Sequence, residues 1–154
     1  MSPEVGQMAP DLELRDQHGQ TVSLRSFRDT KAVLLMFYPF AFSRVCSGEL
    51  SELRDNVSEF VSDRVQLLAV SCDPVFSLRA FAERDDLPFP MLSDFWPHGA
   101  VSSAYGVFDE RRGCSARSTF IIDKEGLIRW SVRNALPDAR DLAEYSRVLA
   151  EITG

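Results

Sequence analysis

The sequence predicts an α/β domain, a central mixed sheet with helices on its faces. Three observations carry that expectation. The unbroken apolar run Ala32–Phe37, and Val65–Ser71 with only Gln66 and Ser71 polar, have the composition of strands covered on both sides. Between such runs lie segments whose apolar residues recur every three or four positions, the period of a helix with one buried face. Strand and helix signals interleave through 154 residues with no linker rich in Gly, Pro or Ser, so residues 1–154 read as a single domain.

Taken in order, residues 8–16 and 20–24 alternate apolar and polar side chains on either side of Gln17-His18-Gly19, the pattern of a β-hairpin with Gly19 in the turn. Residues 26–30 are too polar and too few for more than a turn. Ala32–Phe37 follows as the central strand, and Leu50, Leu53, Val57 and Phe60 mark one face of a helix over 47–60. A second buried strand, 65–71, ends at Cys72-Asp73-Pro74. Pro74 opens a helix carrying Val75, Leu78, Phe81 and Ala82, which the proline-rich stretch 85–90 breaks. Residues 91–94 read as a short strand and loop, and 100–105 as one or two helical turns before Gly106. Two strands, 119–122 and 127–132, join across a turn ending in Gly126. The stretch 139–152, with Leu142, Tyr145, Val148, Leu149 and Ile152, closes the chain as an amphipathic helix. The order is βββαβαβαββα.

Composition removes several function classes. Seventeen Lys and Arg against 23 Asp and Glu give a net charge of −6, which leaves no basic footprint for nucleic acid and fits a solvated acidic surface. The first residues lack the positive region and apolar core of a signal peptide, and no apolar run approaches the ~20 residues of a membrane span. A cytoplasmic location without membrane attachment is therefore expected. Cys46, Cys72 and Cys114 are scattered and form no CxxC, which argues against a disulfide framework and against a zinc site; reduced thiols, no metal and no cofactor are expected.

One cysteine stands apart from the usual inert, buried thiol. Cys46 follows Met36-Phe37-Tyr38-Pro39-Phe40-Ala41-Phe42-Ser43-Arg44-Val45, at the carboxyl end of a central strand and near the N-terminus of the next helix. Ligands and chemistry collect at that edge of open α/β sheets. Unpaired N–H groups and the partial positive charge of a helix start favour thiolate over thiol. The approach supplies a proline, a hydroxyl and apolar walls.

Pro39-x-x-x-Ser43-x-x-Cys46 resembles the PxxxT/SxxC motif of the peroxiredoxins, thiol peroxidases with a thioredoxin-like fold. Gly6-x-x-Ala9-Pro10-Asp11-x-x-Leu14-x-Asp16-x-x-Gly19 resembles the opening hairpin of that family. Phe89-Pro90-Met91-Leu92-Ser93-Asp94 and Tyr105-Gly106-Val107 resemble its middle, and Arg117-x-Thr119-Phe120-Ile121-Ile122-Asp123 the strand bearing its arginine. The resemblance covers about residues 6–132. Glu49-Leu50 and the run from Ser93 to Val101 are most similar to the AhpE-type one-cysteine branch. The resemblance implies that the Cys46 thiolate attacks one peroxide oxygen and becomes sulfenic acid. It also implies that Arg117 stabilises the thiolate and the leaving oxygen, that Ser43 hydrogen-bonds the peroxide, and that Pro39 shields the pocket. Ser43 departs from the more frequent threonine; the hydroxyl is kept and a methyl is lost. Ser43 can also cap the helix. Glu49 stands one helical turn after Cys46, equally suited to the pocket or the surface. His98 reads first as a satisfied loop histidine and second as one facing a partner or the pocket rim, and Phe95 and Trp96 as core residues, as packing near the site or as a subunit contact.

Neither Cys72 nor Cys114 stands where two-cysteine members typically place a resolving thiol, although some atypical members place one at about the distance of Cys72. The resemblance therefore implies a one-cysteine cycle reset by an external thiol, mycothiol with mycoredoxin first and thioredoxin second. The rival is an atypical two-cysteine enzyme with Cys72 as the resolving thiol. A redox sensor that is oxidised once, without turnover, is the non-enzymatic alternative. A disulfide oxidoreductase needs the CxxC that Cys46-Ser47-Gly48-Glu49 lacks. Phe40, Phe42 and Val45 suggest alkyl hydroperoxides beside hydrogen peroxide, and even peroxynitrite. The family habit implies a homodimer or higher homo-oligomer, with Trp96 or the 40–42 loop as its contact.

Overall fold

A computed structural model describes residues 2–133 and 141–153. The hairpin opens the fold: β1 (Glu13–Arg15) pairs antiparallel with β2 (Thr21–Ser23), and Gly19 takes φ +78° in the turn between them, a conformation that costs a glycine little. It is shorter than the alternating pattern predicts. Pro10 has no N–H to offer a ladder, and Met8 makes only an isolated bridge to Leu127. Residues Leu24–Phe27 form one turn of 3₁₀ helix where only a turn is predicted; Leu24, buried at its start, anchors it to the core.

The central strands fall where their composition puts them. β3 (Ala32–Phe37) and β4 (Val65–Ser71) are buried at every position and pair in parallel, with Phe37 opposite Val70. Their side chains alternate between two cores. Leu34, Met36, Leu67 and Ala69 face one core, while Val33, Leu35, Phe37, Leu68 and Val70 face the other. Each of the Val, Leu, Met and Phe side chains among them contributes about 1.5–3 kcal/mol by burial. That two-sided covering explains why these strands read as continuous apolar runs.

The connection from β3 to β4 holds two helices rather than the single one predicted over 47–60. α1 (Arg44–Asp55) starts three residues earlier, and Asn56 at φ −121° interrupts it before α2 (Val57–Phe60). Asn bonds back to the chain, here through Nδ2 to the Glu52 carbonyl at 2.9 Å, and so suits a helix end. α3 (Val75–Asp85) crosses from β4 to β5 (Met91–Ser93), which lies parallel to β4. α4 (Ala100–Ala104) precedes a two-stranded ribbon, β6 (Phe108–Asp109) and β7 (Cys114–Ser115), which the sequence does not announce. Two-residue strands are too short to show a period.

β8 (Ser118–Ile122) and β9 (Ile128–Arg133) form the closing hairpin, and α5 (Leu142–Thr153) follows. Residues 139–140 of the predicted final helix lie outside the described residues. The main sheet runs β2-β1-β5-β4-β3-β8-β9. One pairing positions the site. β8 is antiparallel to β3, with Ser118 opposite Phe37, so the start of β8 lies beside the end of β3.

Candidate active site

The carboxyl end of β3 passes through Tyr38 and Pro39, both buried, into the turn that starts α1. Ser43 is the N-cap of α1 with extended φ/ψ, and its Oγ accepts the Cys46 N–H at 3.4 Å. Cys46 is therefore the third residue of the helix, inside the first turn where N–H groups are otherwise unpaired. Its residue exposure is 0%, within the core that holds Met36, Tyr38, Leu50 and Phe81.

Arg117 immediately precedes β8, and the pairing of Ser118 with Phe37 carries it to the same sheet edge. Its Nη2–H donates to Cys46 Sγ at 3.3 Å, across 71 residues of sequence. Its Nε–H donates to Glu49 Oε1 at 2.9 Å, and both side chains of that ion pair are buried. Glu49, left open by the sequence, thus faces inward and fixes the guanidinium plane. The signal was present: Glu49 shares a helix face with Cys46 and the buried Leu50 and Leu53. Arg117 Nη1 is buried and has no hydrogen-bond partner among the described residues. A planar guanidinium held by two of its donors presents the third in a fixed direction.

Asp73, after β4, steadies the turn from the inner side. Its Oδ2 accepts the Ala41 N–H at 2.8 Å and the Ser71 hydroxyl at 2.7 Å. Sequence reasoning missed this tie, since an acidic residue after a strand carries no signal of its target.

The other thiols lie elsewhere. Cys72 Sγ is 3.6 Å from Ser115 Oγ, which is 2.7 Å from Ser102 Oγ on α4. α4 and the segment after it pack through Val101, Tyr105 and Val107 on the core opposite the one containing Cys46. The sheet therefore separates the Cys72 cluster from Cys46. Desolvation raises the Cys72 thiol above its ordinary range and pushes Cys114 up to about 11. His98 lies in the loop between two carbonyls, Nδ1 3.0 Å from that of Phe95 and Nε2 2.7 Å from that of Gly113, away from Cys46. Trp96 is 82% exposed and Phe95 45%, so the core reading of this pair gives way to a surface one. Among the described residues, no helix is long and apolar enough to cross a membrane.

Residues 5–131 match the model of the AhpC/TSA family. The chain is 46% identical over 149 residues to alkyl hydroperoxide reductase E of Mycobacterium tuberculosis, covering 97% of each protein. Among solved structures, peroxidoxin BcpB of M. tuberculosis superposes with TM-score 0.87 at 29% identity, over 98% of this chain and 99% of that one. AhpC of Enterococcus faecalis superposes with TM-score 0.87 at 28% identity, over 98% and 92%.

Proposed function

Since the chain belongs to the AhpC/TSA family of peroxiredoxins and is a thiol-dependent peroxidase, we propose that Cys46 is the thiolate that reduces the peroxide. The observation that carries this reading is the 3.3 Å contact of Arg117 Nη2 with Cys46 Sγ at a helix N-terminus. Negative charge on the sulfur is met by the guanidinium and by the helix start. The sulfur attacks one oxygen, an S–O bond forms as the O–O bond breaks, and the departing hydroxide or alkoxide takes a proton to leave as water or alcohol. Arg117 Nη1, buried and without a partner among the described residues, suits an oxygen of the bound peroxide as its charge grows. The Ser43 hydroxyl, already beside Cys46, is the second donor toward that oxygen, and buried Pro39 limits water. Alkyl hydroperoxides, the substrate named for the mycobacterial relative, are the proposed class beside hydrogen peroxide.

The sulfenic acid is reset by an external thiol in two exchanges. The first thiol forms a mixed disulfide with Cys46 and releases water; the second releases the Cys46 thiol and an external disulfide. Mycothiol with mycoredoxin is the proposed reductant, with thioredoxin the second choice. The position of Cys72 on the far side of the sheet from Cys46 favours this route over an internal disulfide, which needs Cα atoms within about 7 Å. Intact mass after one equivalent of hydrogen peroxide tests it. Addition of one oxygen, replaced by a mixed disulfide once a small thiol is added, is the expected result. A loss of two hydrogens without added thiol would transfer the resolving role to Cys72 or Cys114.

Members of this family assemble. The proposed contact of a homo-oligomer is the groove lined by Leu14, Val75, Phe95 and Trp96, beside exposed Phe76. Trp96→Glu should shift sedimentation toward the monomer, and an unchanged sedimentation coefficient would place the contact elsewhere.

A further inference from the structure

Cys46 has 0% exposure, so a thiol reductant, which must bring a sulfur and its carbon chain to the oxidised sulfur, meets a closed turn. Inside, Asp73 holds Ala41. Outside, Phe42 sits at φ +68°, a left-handed conformation that strains a bulky side chain. Its ring is gripped by two residues of α3: Phe81 lies 5.1 Å away between centroids, and the Arg84 guanidinium lies 4.8 Å from the ring centroid. The same guanidinium, through Nη2, donates to Ser47 Oγ at 3.0 Å, one residue beyond Cys46. Asp85 orients it through Nε at 2.7 Å. Arg84 thus touches both flanks of the reactive cysteine from α3, a different element.

Within the turn itself the Ser47 N–H donates to the Ser43 carbonyl at 2.8 Å, and Arg117 holds the sulfur from the inner side. The Ser43 cap bond is long at 3.4 Å. Gly48 sits in the second turn of α1, where a Cβ would meet nothing within 4 Å, so no packing requires a glycine that weakens the helix.

We propose that Arg84 is a positioning residue of the peroxidase, an outside latch on the 42–47 turn that sets how often Cys46 opens to thiols. The proposal rests on the peroxidatic reading of Cys46. While the closed form dominates, loss of the latch multiplies the small open fraction but scarcely lowers the closed one. Steps that need the open turn therefore accelerate, and peroxide attack, which needs Arg117 against the sulfur, changes less.

The test compares the full chain with Arg84→Ala and Gly48→Ala. Labelling of reduced Cys46 by N-ethylmaleimide is followed by mass of the Cys46 peptide, and oxidation by hydrogen peroxide in a separate quenched-flow series. Arg84→Ala should speed labelling about three- to tenfold. Gly48→Ala should slow it by about two- to fivefold. Oxidation should move less than labelling in both, and amide exchange over 42–48 should follow the labelling. Labelling that fails to rise in Arg84→Ala, or rises no more than oxidation does, overturns the latch. The labelling arm involves no peroxide, so a Cys46 that labels on this pattern but does not oxidise would count against the peroxidatic reading alone.

Discussion

Arg117→Ala is expected to slow peroxide consumption by about two to three orders of magnitude, the usual loss when one pre-organised donor to a developing oxyanion is removed. Stopped-flow decay of hydrogen peroxide with excess reductant measures it. The same change strips Glu49 of its buried partner, so a stability loss of about 3–5 kcal/mol is expected beside the kinetic one. Denaturant unfolding separates the two. Arg117→Ala with Glu49→Ala should recover part of the stability, because the buried carboxylate is removed together with its guanidinium, and none of the rate. If the double variant recovers the rate, the arginine serves packing and not the reaction.

Cys46→Ser is expected to abolish peroxide consumption while leaving the fold intact, since serine differs by one atom and Cys46 makes no disulfide. The remaining thiols offer no substitute. Burial raises both, and a Cys114 thiol pushed up to about 11 is almost wholly protonated at neutral pH, where the thiolate is the nucleophile. Turnover surviving in Cys46→Ser would sink the assignment of the reacting sulfur. Survival in Cys72→Ser with Cys114→Ser is the matching expectation, and it reads the one-cysteine cycle directly.

Most of the scaffold was legible because it rests on period. The largely apolar runs at 32–37 and 65–71 became β3 and β4 at the predicted residues, since a strand buried on both faces is built mostly of apolar side chains, with Gln66 and Ser71 the polar positions of β4. Gly19 and Gly126 marked their turns by φ +78° and φ +90°. What escaped is set by partners distant in sequence. The β6–β7 ribbon has too few residues for a pattern, and the break at Asn56 competes with an apolar face that runs on through Val57 and Phe60. At the candidate site, Cys46 stood out from its place between a strand end and a helix start, whereas Ser43, Pro39 and Arg117 were singled out only through motifs spread along the chain. Glu49 was half legible, from the helix face it shares with the cysteine. Asp73 and Arg84 were not legible at all, because a carboxylate bonding a backbone N–H 32 residues away, or a guanidinium over a ring 42 positions earlier, leaves no spacing to recognise.

The antiparallel pairing of β3 with β8 has a consequence for the growing chain. Phe37 meets Ser118 only in the native register, and a slip of one residue would turn Arg117 toward the other face of the sheet. The thiol is synthesised 71 residues before the guanidinium that contacts it. On the reading proposed for Cys46 and Arg117, the onset of peroxide reactivity during refolding reports the seating of one strand, β8.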